Sequence, residues 1–154
     1  MRVEYINPFV EAAFNVLREV LHSDVKRGEL YLKSTSVAVM GVAAMVGLAG
    51  DVEGRVLFDM DKATALKIAS AMNNEELVDF DDLVKATITE LANMITAQAV
   101  TKLHDLGFRF DLTPPAIFSG ENMEISNGDV EALIVPMQTG HGKIEINVAV
   151  RERV

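Results

Sequence analysis

The chain has no cysteine. That excludes a disulfide framework, a thiol nucleophile and a thiolate metal site, and it fits a reducing compartment. Positive charge is also scarce: 14 Lys and Arg stand against 23 Asp and Glu, a formal net charge of −9 at pH 7. The acidic residues are spread along the chain rather than gathered in one tail. Such a surface repels nucleic acid, so DNA and RNA are set aside as partners. Long hydrophobic runs are missing too. The longest uncharged stretch, VAVMGVAAMVGLAG from Val37 to Gly50, falls short of the roughly 20 residues a spanning helix needs and is interrupted by glycines in the manner of a buried strand. No N-terminal stretch combines a basic start, an apolar run and a small-residue cleavage site. The expectation is a cytoplasmic protein with no membrane association.

What is present suits a globular fold. With 154 residues, 49% of them hydrophobic, the chain can close a substantial core, and the simplest organisation is a single domain over residues 1–154. Asn7-Pro8 looks like a helix start, asparagine as N-cap and proline at the first helical position, where its missing N–H is harmless. Phe9, Val10, Ala13, Phe14, Leu17, Val20 and Leu21 then recur at helical spacing, which predicts a one-faced helix over Pro8–His22. Residues 30–60 turn to β-branched and small apolar types. Gly47, Gly50 and Gly54 around Asp51 predict a turn between antiparallel strands. A second helix is expected from about Asp61 to Met72, and a third, unusually long, from Asp81 to Leu106 with Gly107 as its stop.

Beyond it, Thr113-Pro114-Pro115 forces an extended segment. Strands are expected near Ala116–Ser119 and Met123–Ser126, and a hairpin from Val130–Met137 to Ile144–Val150. The pattern is α+β: a mostly antiparallel sheet with packed helices. Helix followed by hairpin comes twice, which suggests an internal pseudo-twofold duplication, although the letters of the two halves do not match.

The long helix carries the candidate chemistry. At about 100° per residue, Val84, Ile88, Leu91, Ile95, Ala99 and Leu106 fall in one arc and form the expected core stripe. Ala86, Glu90, Asn93, Ala97 and His104 fall within about 60° of one another on the opposite side. Glu90 and Asn93 are thus neighbours on a face otherwise trimmed to methyl groups. Such a face lets a partner's surface come close while two polar side chains reach into it, with Ala86 and Ala97 as close-contact positions. The spacing alone also suits two solvated side chains on a helix rich in alanine.

The string ITELANMITAQAVTKLHDLGFRFDLTPPAIFSG, Ile88 to Gly120, resembles the E-x-x-N helix and the following T-P-P-x-x-x-S-G segment of the CheC/CheX/FliY family of chemotaxis phosphatases, in particular its CheX branch. GDVEGRVLFDMDKATALKIASAM, Gly50 to Met72, resembles the hairpin-to-helix segment of the same branch. The resemblance implies a CheC-like fold and hydrolysis of the aspartyl phosphate on a CheY-type response regulator. It implies that Asn93 orients the attacking water and that Glu90 pairs with a lysine of the regulator. It further implies Mg²⁺ on the partner rather than on this chain, no cofactor of its own, and a homodimer formed through the sheet. Ala86 stands four positions before Glu90, where many members carry a small hydroxyl or an acidic residue. On the first helix Glu11 and Asn15 are one residue too far apart for a second motif, so one site is expected.

Other signals carry less. The glycines of GLAGDVEG fit no phosphate-binding loop and belong to a turn. His22, His104 and His141 lack the spacing of a zinc set. His104 shares the face of Asn93 but lies about 16 Å further along the helix, too far to act as its base. Residues 119–132 lack the ligand order of an EF-hand. Two alternatives remain at this level: a non-catalytic module of the same fold that binds a response regulator or a flagellar or signalling partner, and a small-molecule enzyme using Glu90 as a base, which would need a concave pocket around it.

Overall fold

The structure is a computed structural model that describes residues 3–33, 36–126 and 130–152. Among the described residues three helices, α1 (Val3–Leu21), α2 (Lys62–Asn73) and α3 (Asp82–Asp105), accompany ten strands. The strands are β1 (Lys26–Arg27), β2 (Tyr31–Lys33), β3 (Ser36–Ala38), β4 (Val42–Gly50), β5 (Val52–Met60), β6 (Phe110–Leu112), β7 (Ala116–Ser119), β8 (Glu124–Ser126), β9 (Ala132–Thr139) and β10 (Gly142–Glu152). Eight of them form one antiparallel sheet in the order β1-β9-β10-β5-β4-β6, with β2 also on β9 and β7 also on β4. β3 and β8 make a separate two-stranded sheet.

The two long hairpins meet at the centre of the sheet, where β5 and β10 pair from Met60↔Ile144 to Val52↔Glu152. Strand periodicity then sorts the side chains. Val56, Phe58 and Met60 with Ile144, Ile146, Val148 and Val150 join the helices in the main buried cluster. Leu57 and Ala149 belong to smaller clusters on the other face. All three helices therefore cover one side of the sheet, and α1 packs against α3.

Both expected hairpins, α2 and α3 are found, as is the α+β class. Helix followed by long hairpin occurs twice in chain order, α1 with β4–β5 and α3 with β9–β10. Several expectations need correction. The first helix begins by Val3, with Pro8 inside it rather than at its first position. Tyr5 and Ile6 are buried in the core, and Tyr5 meets Phe108 edge-on at 5.1 Å between ring centroids. Burial of that extra turn outweighs the one donor proline removes. The run from Val37 to Gly50 is not one strand, since it breaks at Gly41 (φ +148°) before β4 begins. β4 is an interior strand, flanked by β5 on one side and by β6 and β7 on the other. Strands β1, β2 and β6 were not anticipated. They have two or three mostly exposed residues each, too few to show alternation.

Candidate active site

The third helix is held at both ends. Asp81 caps it, accepting a hydrogen bond from the Val84 N–H at 3.1 Å, and Asp82 adds negative charge to the first turn, where the helix dipole favours it. At the far end Leu106 caps the helix, and Gly107 turns the chain at φ +98°, a conformation open to glycine. Its buried side is Val84, Thr87, Ile88, Leu91, Ala92, Ile95, Thr96, Ala99 and Leu103. Leu106, expected in this stripe, is 55% exposed. The helix ends at that position, and Leu103 fills the core instead.

The opposite face is as the periodicity predicted. Ala86, Glu90, Asn93, Ala97 and His104 are all exposed. Among the described residues neither Glu90 nor Asn93 has a hydrogen-bond or ion-pair partner. Thr89 donates to the Lys85 carbonyl at 2.8 Å and Thr96 to the Ala92 carbonyl at 2.7 Å, so the neighbouring hydroxyls are occupied by the helix's own backbone. Glu90 and Asn93 project onto open solvent, flanked one turn away on each side by alanine.

This face stands apart from the main surface hollows. Surface hollows lie between α1 and α3, lined by Pro8, Glu11, Gln98 and Thr101, at the end of α1 around Arg18 and His22, and at the start of α2 around Lys62 and Gly120. None of these includes Glu90 or Asn93. That geometry counts against a small-molecule base and suits contact with another protein. Among the described residues no cluster of three His, Asp or Glu could hold a metal ion, and no helix is long and apolar enough to cross a membrane. His104 leans on the Phe110 ring at 5.3 Å between centroids. On α1, Glu11 faces Lys102 at 3.7 Å, with Asn15 exposed one turn on.

One group was not singled out from the sequence. Asp59 is 1% exposed at the sheet centre, where it accepts from the Met40 N–H at 3.0 Å through Oδ1 while Oδ2 has no partner. Burial, reinforced by the charge of Glu145, pushes its pKa up from 3.8 to about 6. The signal in the sequence was an acidic residue inside the otherwise apolar string VLFDM.

Comparison with known proteins identifies relatives over most of the chain. The family model described as Chemotaxis phosphatase CheX matches residues 42–138. The chain is 30% identical to the CheY-P phosphatase CheX of Thermotoga maritima over 128 residues, 82% of this chain and 83% of that protein. Among solved structures it is similar to the CheX–CheY–BeF3–Mg²⁺ complex from Borrelia burgdorferi. There the identity is 51% and the TM-score 0.85, with 98% of this chain and 100% of that chain covered. It is also similar to a CheC-like superfamily protein from a Shewanella species at 29% identity and TM-score 0.89, covering 98% and 99% of the two chains.

Proposed function

This chain belongs to the CheX family of chemotaxis phosphatases, and on that premise we propose that it hydrolyses the aspartyl phosphate of a CheY-type response regulator, with Asn93 and Glu90 as the working residues. The observation that carries the assignment is the pairing of these two side chains, exposed and unpartnered, on the alanine-trimmed face of α3.

Hydrolysis of an acyl phosphate passes through a loose transition state in which the attacking water must lie in line with the bond that breaks. The helper's task is mainly to position that water. A carboxamide does so without placing negative charge beside the phosphoryl group, because Asn93 can accept from and donate to the water at once. Glu90 is three residues earlier on the same face. It anchors the helix by a charge-assisted contact with a lysine of the regulator. Mg²⁺ is present in the Borrelia complex, and here it is assigned to the regulator, where it neutralises the phosphoryl oxygens. Ala86 and Ala97 let the two backbones approach without steric conflict.

We place the reaction in the cytoplasm and in a single domain spanning residues 1–154. We also propose that the protein works as a homodimer. Tyr31 and Leu32 at one side of the sheet, and Leu112 and Phe118 at the other, are exposed apolar side chains available to a second copy. Sedimentation velocity over a hundredfold concentration range checks the dimer, and a single monomeric species throughout would remove it. For the chemistry, the decisive experiment follows the decay of regulator-bound phosphate with the parent protein and with Asn93→Ala. Acceleration that vanishes in the variant is expected. Equal acceleration by the variant would overturn the assignment of Asn93.

A further inference from the structure

Glu90 and Asn93 are assigned to groups that the phosphorylation chemistry itself requires of a regulator: the phosphoryl oxygens, the water and the lysine. Contacts to such groups cannot distinguish one regulator from another, so selectivity must come from side chains outside that centre.

The structure offers such side chains at the start of the same helix. Leu83 is 44% exposed and Val78, in the segment leading into α3, is 69% exposed. By helical geometry Leu83 lies within about 20° of Glu90 around the axis and about 10 Å before it, close enough for one partner surface to reach both. The other residues of that face are Ala86, Asn93, Ala97, Thr101 and His104, so Leu83 is the bulky aliphatic element on it.

These residues are not exposed because the segment is loose. Asn73 Nδ2 donates to the Ala69 carbonyl and to Thr87 Oγ1, each at 2.8 Å, and Thr87 Oγ1 in turn donates to the Leu83 carbonyl at 2.8 Å. The end of α2 therefore holds the backbone of Leu83 through a two-step relay. Ser70 Oγ accepts from the Leu77 N–H at 2.9 Å, and the Ser70 carbonyl accepts from the Glu75 N–H at 3.1 Å. The Asp81 N–H closes on the Asp79 carbonyl at 2.9 Å. Phe80 is turned inward between Lys62 and Lys85, whose ammonium nitrogens lie 5.5 and 5.7 Å from its ring centre. A segment fastened at so many points that still holds two large apolar side chains in water is prepared for contact, because little entropy remains to be lost on docking.

We propose that Val78 and Leu83 form an apolar step that docks on the response regulator beside its phosphorylation pocket and sets which regulator is served. The occupant is a ledge of exposed aliphatic side chains on the regulator, bordered by basic residues. Exposed Glu75, Glu76, Asp79 and Asp82 flank the step in sequence and outnumber exposed Lys62 and Lys85 beside Phe80, so the opposing rim carries net positive charge. The inference rests on the placement of the reaction at Glu90 and Asn93.

The test uses the full chain and a CheY-type regulator that the parent protein dephosphorylates. Leu83→Asn combined with Val78→Ser is expected to raise KM about tenfold, one factor of ten in affinity, while kcat stays within about twofold. Affinity for the regulator loaded with BeF3 and Mg²⁺ should fall by the same factor. Leu83→Met, which keeps the apolar bulk, should retain the parent KM. Asn93→Ala separates the two levels of the argument: it should lose kcat while keeping affinity for the loaded regulator. If the Leu83 and Val78 variants bind and turn over like the parent while Asn93→Ala is inactive, the apolar step is wrong and the phosphatase assignment stands. If Asn93→Ala remains active, the assignment beneath both is wrong.

Discussion

Asp59 and Glu145 face each other across the central strand pair, Cα partners in the β5–β10 register. Two carboxylates in directly opposed positions repel, and here one of them is almost wholly removed from water. Glu145 has relief, since the Tyr31 hydroxyl donates to its Oε2 at 2.7 Å. Asp59 has the Met40 N–H on one oxygen and nothing on the other. Burial is the leading cause of its raised pKa. Glu145 raises it further, while the Met40 and Met60 N–H groups and Lys143 pull it down without restoring the ordinary value.

The pH consequence has a definite sign. A carboxyl whose folded pKa stands near 6 against 3.8 in the unfolded chain favours the folded state when protonated. That contribution is complete below about pH 4 and is lost as pH rises through about 6. Asp59→Asn keeps an acceptor for the Met40 N–H and removes the charge. It should stabilise the protein at pH 8 by about 2 kcal/mol and leave stability at pH 4 nearly unchanged. Urea unfolding of parent and variant at both pH values is the check. Equal stability of the two proteins at pH 8 would refute the account.

Much of the fold was legible because local signals coincided with tertiary demands. Asp61 and Asp81 were recognisable as helix starts and both do cap their helices, Asp61 accepting from the Thr64 N–H at 2.7 Å and Asp81 from Val84. Signals failed where packing overrode them. Asn7-Pro8 has the chemistry of a helix start, but Tyr5 and Ile6 have a core to enter, so the helix starts earlier. Leu106 has helical phase with Leu91, but the helix stops there and Leu103 takes the buried place. The exposed face of Glu90 and Asn93 was legible for the opposite reason: a 24-residue helix packed along one side leaves no doubt which side is free. Their chemical roles were not in the spacing. They came from the resemblance carried by the flanking strings.

A glycine inside β5, close to its start, makes a separate point. Gly54 adopts φ +139°, and a Cβ there would overlap the Ala149 carbonyl oxygen on β10 and lie 2.8 Å from the Val150 Cα. Both obstacles are backbone of the neighbouring central strand and cannot swing aside. Gly54→Ala should therefore destabilise the fold by about 3 kcal/mol, through strain at this dihedral and displacement of β10. A fall in melting temperature with intact activity at low temperature is expected, because the site on α3 is remote. Unchanged thermal stability would mean the sheet yields more easily than this geometry allows.

Among the described residues Glu90 has no partner, so its removal should leave stability within about 0.5 kcal/mol of the parent. Its effect belongs to docking. A charge-assisted contact of about 1.5–3 kcal/mol corresponds to a KM increase of roughly ten- to a hundredfold for Glu90→Gln, with kcat at saturating regulator largely kept. Salt supplies a second check. Added NaCl should raise the parent KM more steeply than that of the variant, since the variant has already lost the screened interaction. A kcat loss at unchanged KM would instead move Glu90 into the chemical step.

Asn93 should behave in the reverse manner. It is exposed and, among the described residues, unpartnered, so Asn93→Ala should fold as well as the parent, with stability within about 0.5 kcal/mol. Removing one preorganised carboxamide from a transition state has an effect of about 10²–10³ in turnover when it acts on the reacting group. Stimulated dephosphorylation should fall by that order, to the regulator's own rate within error, while affinity for the regulator loaded with BeF3 and Mg²⁺ remains. Asn93→Asp is the more searching variant. It preserves size and one acceptor but removes the amide donor and adds a negative charge beside an anionic phosphoryl group, so it should be no more active than the alanine variant. An aspartate variant retaining most of the activity would show that Asn93 only accepts from the water, and the two-way hydrogen bonding assigned to its carboxamide would have to be abandoned.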